Sequence, residues 1–176
     1  ERGFINPSDF IPLAEDNGLI VPLGIWVLRR ACEQLSQWQW QSAANRSLFM
    51  SVNLSGKQVA RPKLVNEIRQ VLEETRIDPK YLKLEITESA VMENAETAVQ
   101  LLRRLKALGV QLSIDDFGTG YSSLGYLHRF PVTTLKIDRS FVGRIGEAAE
   151  NIEIVRTIMS LAENMGMEVV AEGVET

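Results

Sequence analysis

Short runs with strand-like alternation recur along the chain, separated by longer segments of helical periodicity, and this pattern restricts the fold most. Five segments alternate apolar and polar residues as strands do: 49–54, 82–87, 110–115, 133–138 and 167–171. Strands that alternate with helices pair in parallel through right-handed crossovers, so their carboxyl ends meet at one edge of the sheet. We therefore predict an α/β fold with about five parallel strands and intervening helices.

Composition excludes several classes of protein. The 176 residues suffice for one domain with a sizeable core, and 45% hydrophobic with 24% charged residues is ordinary for a globular domain. The net charge of −4 argues against a nucleic-acid polymer as partner. No apolar run reaches the length of a membrane span, so we predict no membrane contact by this segment. The single cysteine, Cys32, excludes an internal disulfide.

The run IDDFGTGYSS, residues 114–123, combines two acids with two glycines and a serine pair. Asp115 and Asp116 end an apolar run, where like charges repel unless both are solvated or a cation lies between them. A divalent cation is one natural partner. An ordinary strand-to-helix turn with both acids facing water is the alternative, and this run alone does not separate the two.

A polar residue lies at or just after the carboxyl end of each predicted strand. These residues are Asn53, Glu85, Asp115, Lys136 and Glu172. Neighbouring members are roughly 30 positions apart, with a shorter interval of about 20 between Asp115 and Lys136, as successive βαβ units require. In an α/β barrel such residues line the mouth, where these enzymes place catalysis. We therefore predict the functional site at this edge of the sheet.

The charge of this series predicts a metal site. Burying its carboxylates together would cost more than a domain's stability margin unless cations compensate them. Oxygen donors select hard divalent ions, so we predict Mg²⁺ or Mn²⁺, with Asp115 placed to bridge two ions as in phosphoester hydrolysis. Lys136 would orient the attacking water or stabilise phosphoryl charge. Asp138, on the same polar face, is predicted either to contact substrate or to pair with a neighbouring charge.

Five motifs along the chain resemble successive signatures of the EAL domain family. They are SVNLS at 51–55, EITES at 85–89, DDFGTGYSSL at 115–124, LKIDRSF at 135–141 and AEGVET at 171–176. The resemblance covers essentially the whole chain. It implies a partial (β/α)8 TIM-type barrel and the activity of a cyclic di-GMP phosphodiesterase, a hydrolase that cleaves one phosphodiester of cyclic di-GMP to give linear pGpG.

The resemblance also implies a two-metal site and the residues that form it. Asn53, Glu85 and Asp115 match the ligands of one ion, whereas Asp115, Asp116 and Glu172 match the site of the second.

Further residues match positions that support catalysis in the family. Lys136 matches the lysine that positions the hydrolytic water, and Glu172 is implied in catalysis as well as in metal binding. Glu88 matches a glutamate that holds the loop after Asp116 in its working shape. Glu175 matches an acidic residue that supports the site.

Partners and location are implied by the resemblance as well. The family is bacterial and often homodimeric, and it works in the cytoplasm beneath sensory or diguanylate cyclase domains, so the parent protein could be anchored in a membrane. The partners implied are cyclic di-GMP, a second copy of the domain and those attached domains.

One departure from the family concerns the two ends of the chain. The Glu-Ala-Leu motif that names the family is absent from the sequence, as are the opening and last strands of the barrel. We therefore expect residues 1–176 to be a single incomplete EAL-type domain with impaired activity on its own. Five strands do not close an eight-stranded barrel, and exposed strand edges favour pairing between chains.

Three other functions remain open at this point. A non-catalytic cyclic di-GMP receptor would keep the fold but typically loses acids from the constellation. An enolase-type barrel also places acids and a lysine on successive strands, although the Asp115–Asp116 pair and Asn53 fit a two-metal hydrolase better. A purely structural module would have no reason to gather acids at one mouth.

Overall fold

The computed structural model describes residues 3–120, 124–145 and 149–174, which form one parallel sheet and the helices around it. The strands pair in chain order, β1-β2-β3-β4-β5, and every pairing is parallel. Their bounds are β1 Met50–Leu54, β2 Leu82–Thr87, β3 Gln111–Phe117, β4 Thr134–Ile137 and β5 Glu168–Ala171. The prediction of an α/β fold with five parallel strands is confirmed.

The helices of the described residues precede β1 and connect the strands. They are α1 Pro7–Asp16, α2 Ile20–Gln41, α3 Gly56–Val59, α4 Leu64–Thr75, α5 Glu88–Met92, α6 Ala95–Lys106, α7 Leu124–Leu127, α8 Arg139–Val142 and α9 Ala149–Asn164. Short 3₁₀ turns at Ala43–Ser47 and Pro79–Tyr81 precede β1 and β2. No helix in the described ranges combines the length and the apolar character needed to cross a bilayer.

Two faces of the sheet have different chemistry because successive strand residues point to opposite sides. One face is apolar: Leu84, Leu112 and Leu135 are fully buried and belong to one continuous core with the apolar faces of α2, α4 and α6. Burying each such leucine contributes about 1.5–3 kcal/mol. The other face carries the polar residues, so the hydrophobic core holds the sheet while leaving its polar face for the site.

Two strand ends differ from the sequence prediction, and both differences affect the site. The third strand continues past Asp115 to Phe117, and the fourth ends at Ile137, one residue before Asp138. Asp138 instead forms the N-cap of α8, where its Oδ1 accepts the Ser140 N–H at 2.9 Å. The alternation of apolar and polar residues does not show where a side chain that caps a helix ends the backbone hydrogen bonding of a strand.

Candidate metal centre

A β-bulge in β3 brings two consecutive acids into one site. Ile114 pairs with Leu135 and Phe117 pairs with Ile137, so Asp115 and Asp116 together lie opposite a single residue of β4, Lys136. In a regular strand two neighbouring side chains would point to opposite faces, whereas a bulge with its second residue in the left-handed region re-aims one of them. Asp116 has φ +53°, and its N–H donates to Asp115 Oδ1 at 3.0 Å.

Lys136 lies at the centre of this polar face and contacts carboxylates from three other strand ends. Its Nζ is 2.6 Å from Glu85 Oε2, 3.0 Å from Asp115 Oδ1 and 2.6 Å from Glu172 Oε1. The lysine side chain is only 12% exposed. Four of the five predicted strand-end residues therefore converge, as the shared edge of a parallel sheet requires.

The carboxylates shift the pKa values of their neighbours. Burial opposes a charge on Lys136, but its hydrogen bonds to Glu172, Glu85 and Asp115 outweigh burial and raise its pKa. The pKa of Asp116 is also raised, first by burial and then by the charges of Asp115, Asp138 and Glu172. The ammonium therefore remains charged among acids that repel one another, which is an electrostatic setting that favours further cations.

Asp115, Asp116 and Glu172 form a cluster that fits a divalent ion. One carboxylate oxygen from each lies within 4.8 Å of the others. Oxygens on opposite sides of one ion are about 4.2–4.8 Å apart when the metal–oxygen bonds are 2.1–2.4 Å. An all-carboxylate donor set selects a hard ion. The described part of the chain thus contains an acidic cluster with the size and chemistry of a metal site.

Asn53 and Glu85 lie beside one another on neighbouring strands, because β1 and β2 pair Asn53 with Glu85. Glu85 is buried and joins the cluster through Lys136, whereas Asn53 is exposed on the edge strand. Neither belongs to the group of acids described above. The assignment of Asn53 and Glu85 as metal ligands stays a prediction.

Glu88 contacts the loop that follows β3 from a position outside the strands. It begins α5, is 1% exposed, and its Oε2 accepts the Gly118 N–H at 2.9 Å. A carboxylate that accepts a backbone N–H in a buried place makes a strong, charge-assisted hydrogen bond. Glu88 thereby links the end of β2 to the chain two residues after Asp116.

Glu172 is presented by a turn that requires glycine. Its N–H donates to the Ile137 carbonyl at 3.2 Å, extending the β4–β5 ladder by one bond. Gly173 then has φ +70°, and a Cβ at this position would lie 2.7 Å from Arg139 Cβ. Glycine is the residue that adopts this conformation without penalty and leaves room for the neighbouring chain.

Asp138 lies beside the acidic cluster rather than within it. The Asp138 carboxylate caps α8, and its hydrogen bonds to Ser140 lower its pKa, so it is charged beside the site without contacting Lys136 in the contacts described above. Its predicted substrate contact stays a prediction. Glu175 lies outside the described residues.

A second polar layer under the cluster was not predicted. Each of three strands carries a polar residue two positions before a cluster residue: Lys83, Ser113 and Thr134 precede Glu85, Asp115 and Lys136. Lys83 Nζ donates to Thr134 Oγ1 at 3.3 Å, while Ser113 is fully buried and its Oγ has no hydrogen-bond partner among the residues that the structure describes. The signal was present in the alternation of the strands, but only cross-strand register brings these residues together.

Comparison with known proteins identifies the family. The family model described as "EAL domain" matches residues 1–176. The cyclic di-GMP phosphodiesterase NbdA of Pseudomonas aeruginosa is 46% identical over 175 residues, which is 99% of this chain and 22% of NbdA. The bifunctional diguanylate cyclase/cyclic di-GMP phosphodiesterase MucR of the same organism is 44% identical over 176 residues, 100% of this chain and 25% of MucR.

A solved structure agrees with these sequence matches. The structure described as "PaMucR Phosphodiesterase, c-di-GMP complex" superposes with a TM-score of 0.95 at 44% identity, covering 100% of this chain and 70% of that chain. The chain belongs to the EAL domain family, as its motifs predicted. It spans about a fifth to a quarter of the length of the two curated relatives named above.

Proposed function

We propose that the domain to which this chain belongs hydrolyses one phosphodiester bond of cyclic di-GMP to give linear pGpG, with divalent ions bound by the strand-end acids, and that residues 1–176 on their own do so with reduced activity. One observation carries the proposal: Glu85, Asp115 and Glu172 converge on Lys136 at 2.6–3.0 Å, with Asp116 added by the bulge. The relatives whose names include this activity are 44–46% identical over nearly the whole chain. The solved relative is described as a complex with c-di-GMP.

The cofactor in this proposal is a pair of Mg²⁺ or Mn²⁺ ions. Asn53, Glu85 and Asp115 would hold one ion, and Asp115, Asp116 and Glu172 the other. Bound there, the ions would supply Lewis acidity to a phosphoryl oxygen and lower the pKa of the attacking water. Glutamate and aspartate oxygens at the distances described above support this choice of hard ions.

The residues around the ions have distinct parts in the proposal. Lys136 orients the attacking water and compensates charge on the phosphoryl group. Glu88 holds the chain after Asp116 through Gly118, which keeps the bulge in place. Glu172 contributes to both the ion and the lysine, Glu175 supports the site, and Asp138 contacts the substrate.

The assembly and location of the protein are part of the same proposal. We propose that residues 1–176 act as one incomplete EAL-type barrel unit, in line with their 70% coverage of the solved relative. A homodimer and attached sensory or diguanylate cyclase domains are proposed as partners, the latter supported by the bifunctional name of MucR. We propose the cytoplasm as its place of action because cyclic di-GMP is an intracellular messenger in the family that the motifs resemble.

The decisive experiment follows the product. Purified protein is incubated with cyclic di-GMP and Mg²⁺ or Mn²⁺, and pGpG is quantified by chromatography. We expect Asp115→Asn to lower the rate by about 100-fold or more, because it weakens the binding of both ions, which would supply the charge stabilisation of the transition state. Asp9→Asn, an exposed acid on α1, is the matched control and should leave the rate unchanged.

The same experiment separates the alternatives. Binding of cyclic di-GMP without release of pGpG by the unsubstituted protein would favour the receptor, and absence of both would refute the proposal. A site that works with a single Mg²⁺ on a carboxylate-activated carbon acid would favour the enolase type. Equal rates for Asp115→Asn and Asp9→Asn would show that the acidic cluster has no role in catalysis.

A further inference from the structure

The lysine and the candidate metal ion use the same carboxylates. Lys136 Nζ contacts Asp115 Oδ1 at 3.0 Å and Glu172 Oε1 at 2.6 Å. Asp115 and Glu172 are also two of the three acids that can surround an ion. A carboxylate oxygen in direct contact with an ammonium is already paired with a positive charge. A cation that binds the same carboxylate repels the ammonium, so the lysine must move or its contact must lengthen.

The hydrogen-bonding capacity of the lysine gives a second reason. An ammonium has three N–H donors. Three carboxylates, from Glu85, Asp115 and Glu172, lie within 3.0 Å of Nζ, and Nζ donates a hydrogen bond to Glu85 Oε2. The ammonium is thus surrounded by protein carboxylates, and a water molecule or a phosphoryl oxygen, the groups that the proposed function assigns to Lys136, would have to compete with them.

Glu85 differs from the other two partners in one respect. It holds Lys136 at 2.6 Å but lies outside the group of Asp115, Asp116 and Glu172 that fits one ion. An ion at that group would therefore take two partners of the lysine and leave the third. With an ion at that group alone, Glu85 would act as a tether that keeps the lysine beside the ion, whereas the second ion of the proposed function would draw on Glu85 as well.

We propose that Lys136 is an internal cation that competes with the divalent ion for Asp115 and Glu172, so that binding the ion frees two lysine donors for substrate. Metal loading and activation of the lysine are then a single step. This inference rests on the proposed function only in requiring that the cluster binds a divalent ion. It adds that the affinity for the ion is set partly by the lysine it displaces.

The first test compares Mn²⁺ binding in two lysine variants by isothermal titration calorimetry on purified, EDTA-treated protein. Lys136→Met keeps an unbranched side chain, shorter by one atom, but removes the charge, and we expect it to bind Mn²⁺ about tenfold tighter than the unsubstituted protein. Lys83→Met is the matched control. Lys83 points to the same face of the sheet but contacts Thr134 at 3.3 Å, so we expect less than a threefold change.

Unchanged or weaker Mn²⁺ binding by Lys136→Met would overturn the inference. Equal tightening in both variants would overturn it too, because a general loss of positive charge would then explain the result. No Mn²⁺ binding by any of the three proteins would overturn both this inference and the metal part of the proposed function.

The second test needs no substitution and covers the case in which Lys136→Met does not fold. The unsubstituted protein is acetylated briefly with acetic anhydride, with and without Mn²⁺, and each lysine is quantified by mass spectrometry. Competition predicts that Mn²⁺ raises the labelling of Lys136 several-fold while leaving exposed Lys80 unchanged. Equal or lower labelling of Lys136 with Mn²⁺ would overturn the inference.

The two proposals fail separately. If Lys136→Met binds Mn²⁺ more tightly and Mn²⁺ raises the labelling of Lys136, but no pGpG forms, the competition between lysine and ion is supported and the proposed hydrolysis is refuted. If pGpG forms while the labelling and the Mn²⁺ affinity stay unchanged, the proposed hydrolysis is supported and the competition is refuted.

Discussion

Asp116 offers a prediction in which stability and metal binding change in opposite directions. Its φ of +53° is in the left-handed region, which costs a non-glycine residue about 1–2 kcal/mol. Glycine avoids this cost but loses about 0.5–1 kcal/mol more backbone entropy on folding. We therefore expect Asp116→Gly to be more stable than Asp116→Ala by about 1 kcal/mol, since only the alanine variant keeps the strain.

Charge makes a separate contribution, which a third variant isolates. Burial and the charges of Asp115, Asp138 and Glu172 raise the pKa of Asp116 in the folded protein above its ordinary value of 3.8. The folded chain then holds this proton more tightly than the unfolded chain, so its stabilising effect is present at low pH and lost as the pH rises through the raised pKa. Asp116→Asn tolerates the left-handed backbone and lacks the charge, so we expect it to remove this loss and to be at least as stable as the unsubstituted protein near neutral pH.

The assay is urea denaturation in EDTA, followed by circular dichroism, with the same slope expected for all variants. Mn²⁺ affinity is measured in parallel, and it should fall about tenfold or more in all three variants, because glycine and alanine lack the oxygen donor and asparagine offers a neutral oxygen in place of a charged one. If the alanine variant is as stable as the glycine variant, position 116 is not strained. The claim that a left-handed bulge brings both acids into the site would then be refuted. Unchanged Mn²⁺ affinity would remove Asp116 from the metal centre.

Three further substitutions or conditions test the surroundings of the site. Glu88→Ala leaves the Gly118 N–H without its acceptor, and we expect a loss of about 1–3 kcal/mol with faster amide hydrogen exchange at Gly118. Gly24→Ala would place a Cβ against the amide of Gln58, which is buried and held in the capping box of α3, so we expect a loss of about 1–3 kcal/mol by urea denaturation despite the better helix propensity of alanine. Burial raises the pKa of Cys32 from 9.0 to about 12, so the native thiol should not react with Ellman's reagent at pH 8 until urea is added. Because the unfolded thiol ionises first, the unfolding free energy should fall as the pH rises from 9 towards 12. Each expectation has a result that would contradict it. These results are higher stability of Gly24→Ala, slow exchange at Gly118 in Glu88→Ala, and rapid reaction of the Cys32 thiol in the native protein.

The alternation of residues along the chain was enough to predict the sheet. Period-two segments separated by helical ones indicate parallel strands, and the second strand was predicted with the bounds that the structure shows, Leu82–Thr87. The polar residues at the strand ends were predicted to share one edge, and three of them meet at a fourth, Lys136. This succeeded because the period of a strand and the direction of a parallel connection are local properties.

The bulge and the contacts across the sheet were decided by the tertiary structure. The sequence places Asp115 and Asp116 next to one another, but only the pairing of Ile114 with Leu135 and of Phe117 with Ile137 puts both acids opposite Lys136. The extension of β3 to Phe117 follows from the same pairing. These features depend on registry between segments that are distant in the chain, and the alternation within one strand specifies its buried face but not the residue that each position pairs with.

The sequence by itself determined the alternation of strands and helices, the family and the kinds of side chain at the site. The tertiary structure decided which of these side chains touch: Lys136 contacts three carboxylates, and Glu88 reaches Gly118 from the end of another strand. The physical reason is that hydrogen bonds and ion pairs act over about 3 Å, a precision that the spacing of residues along a strand does not supply.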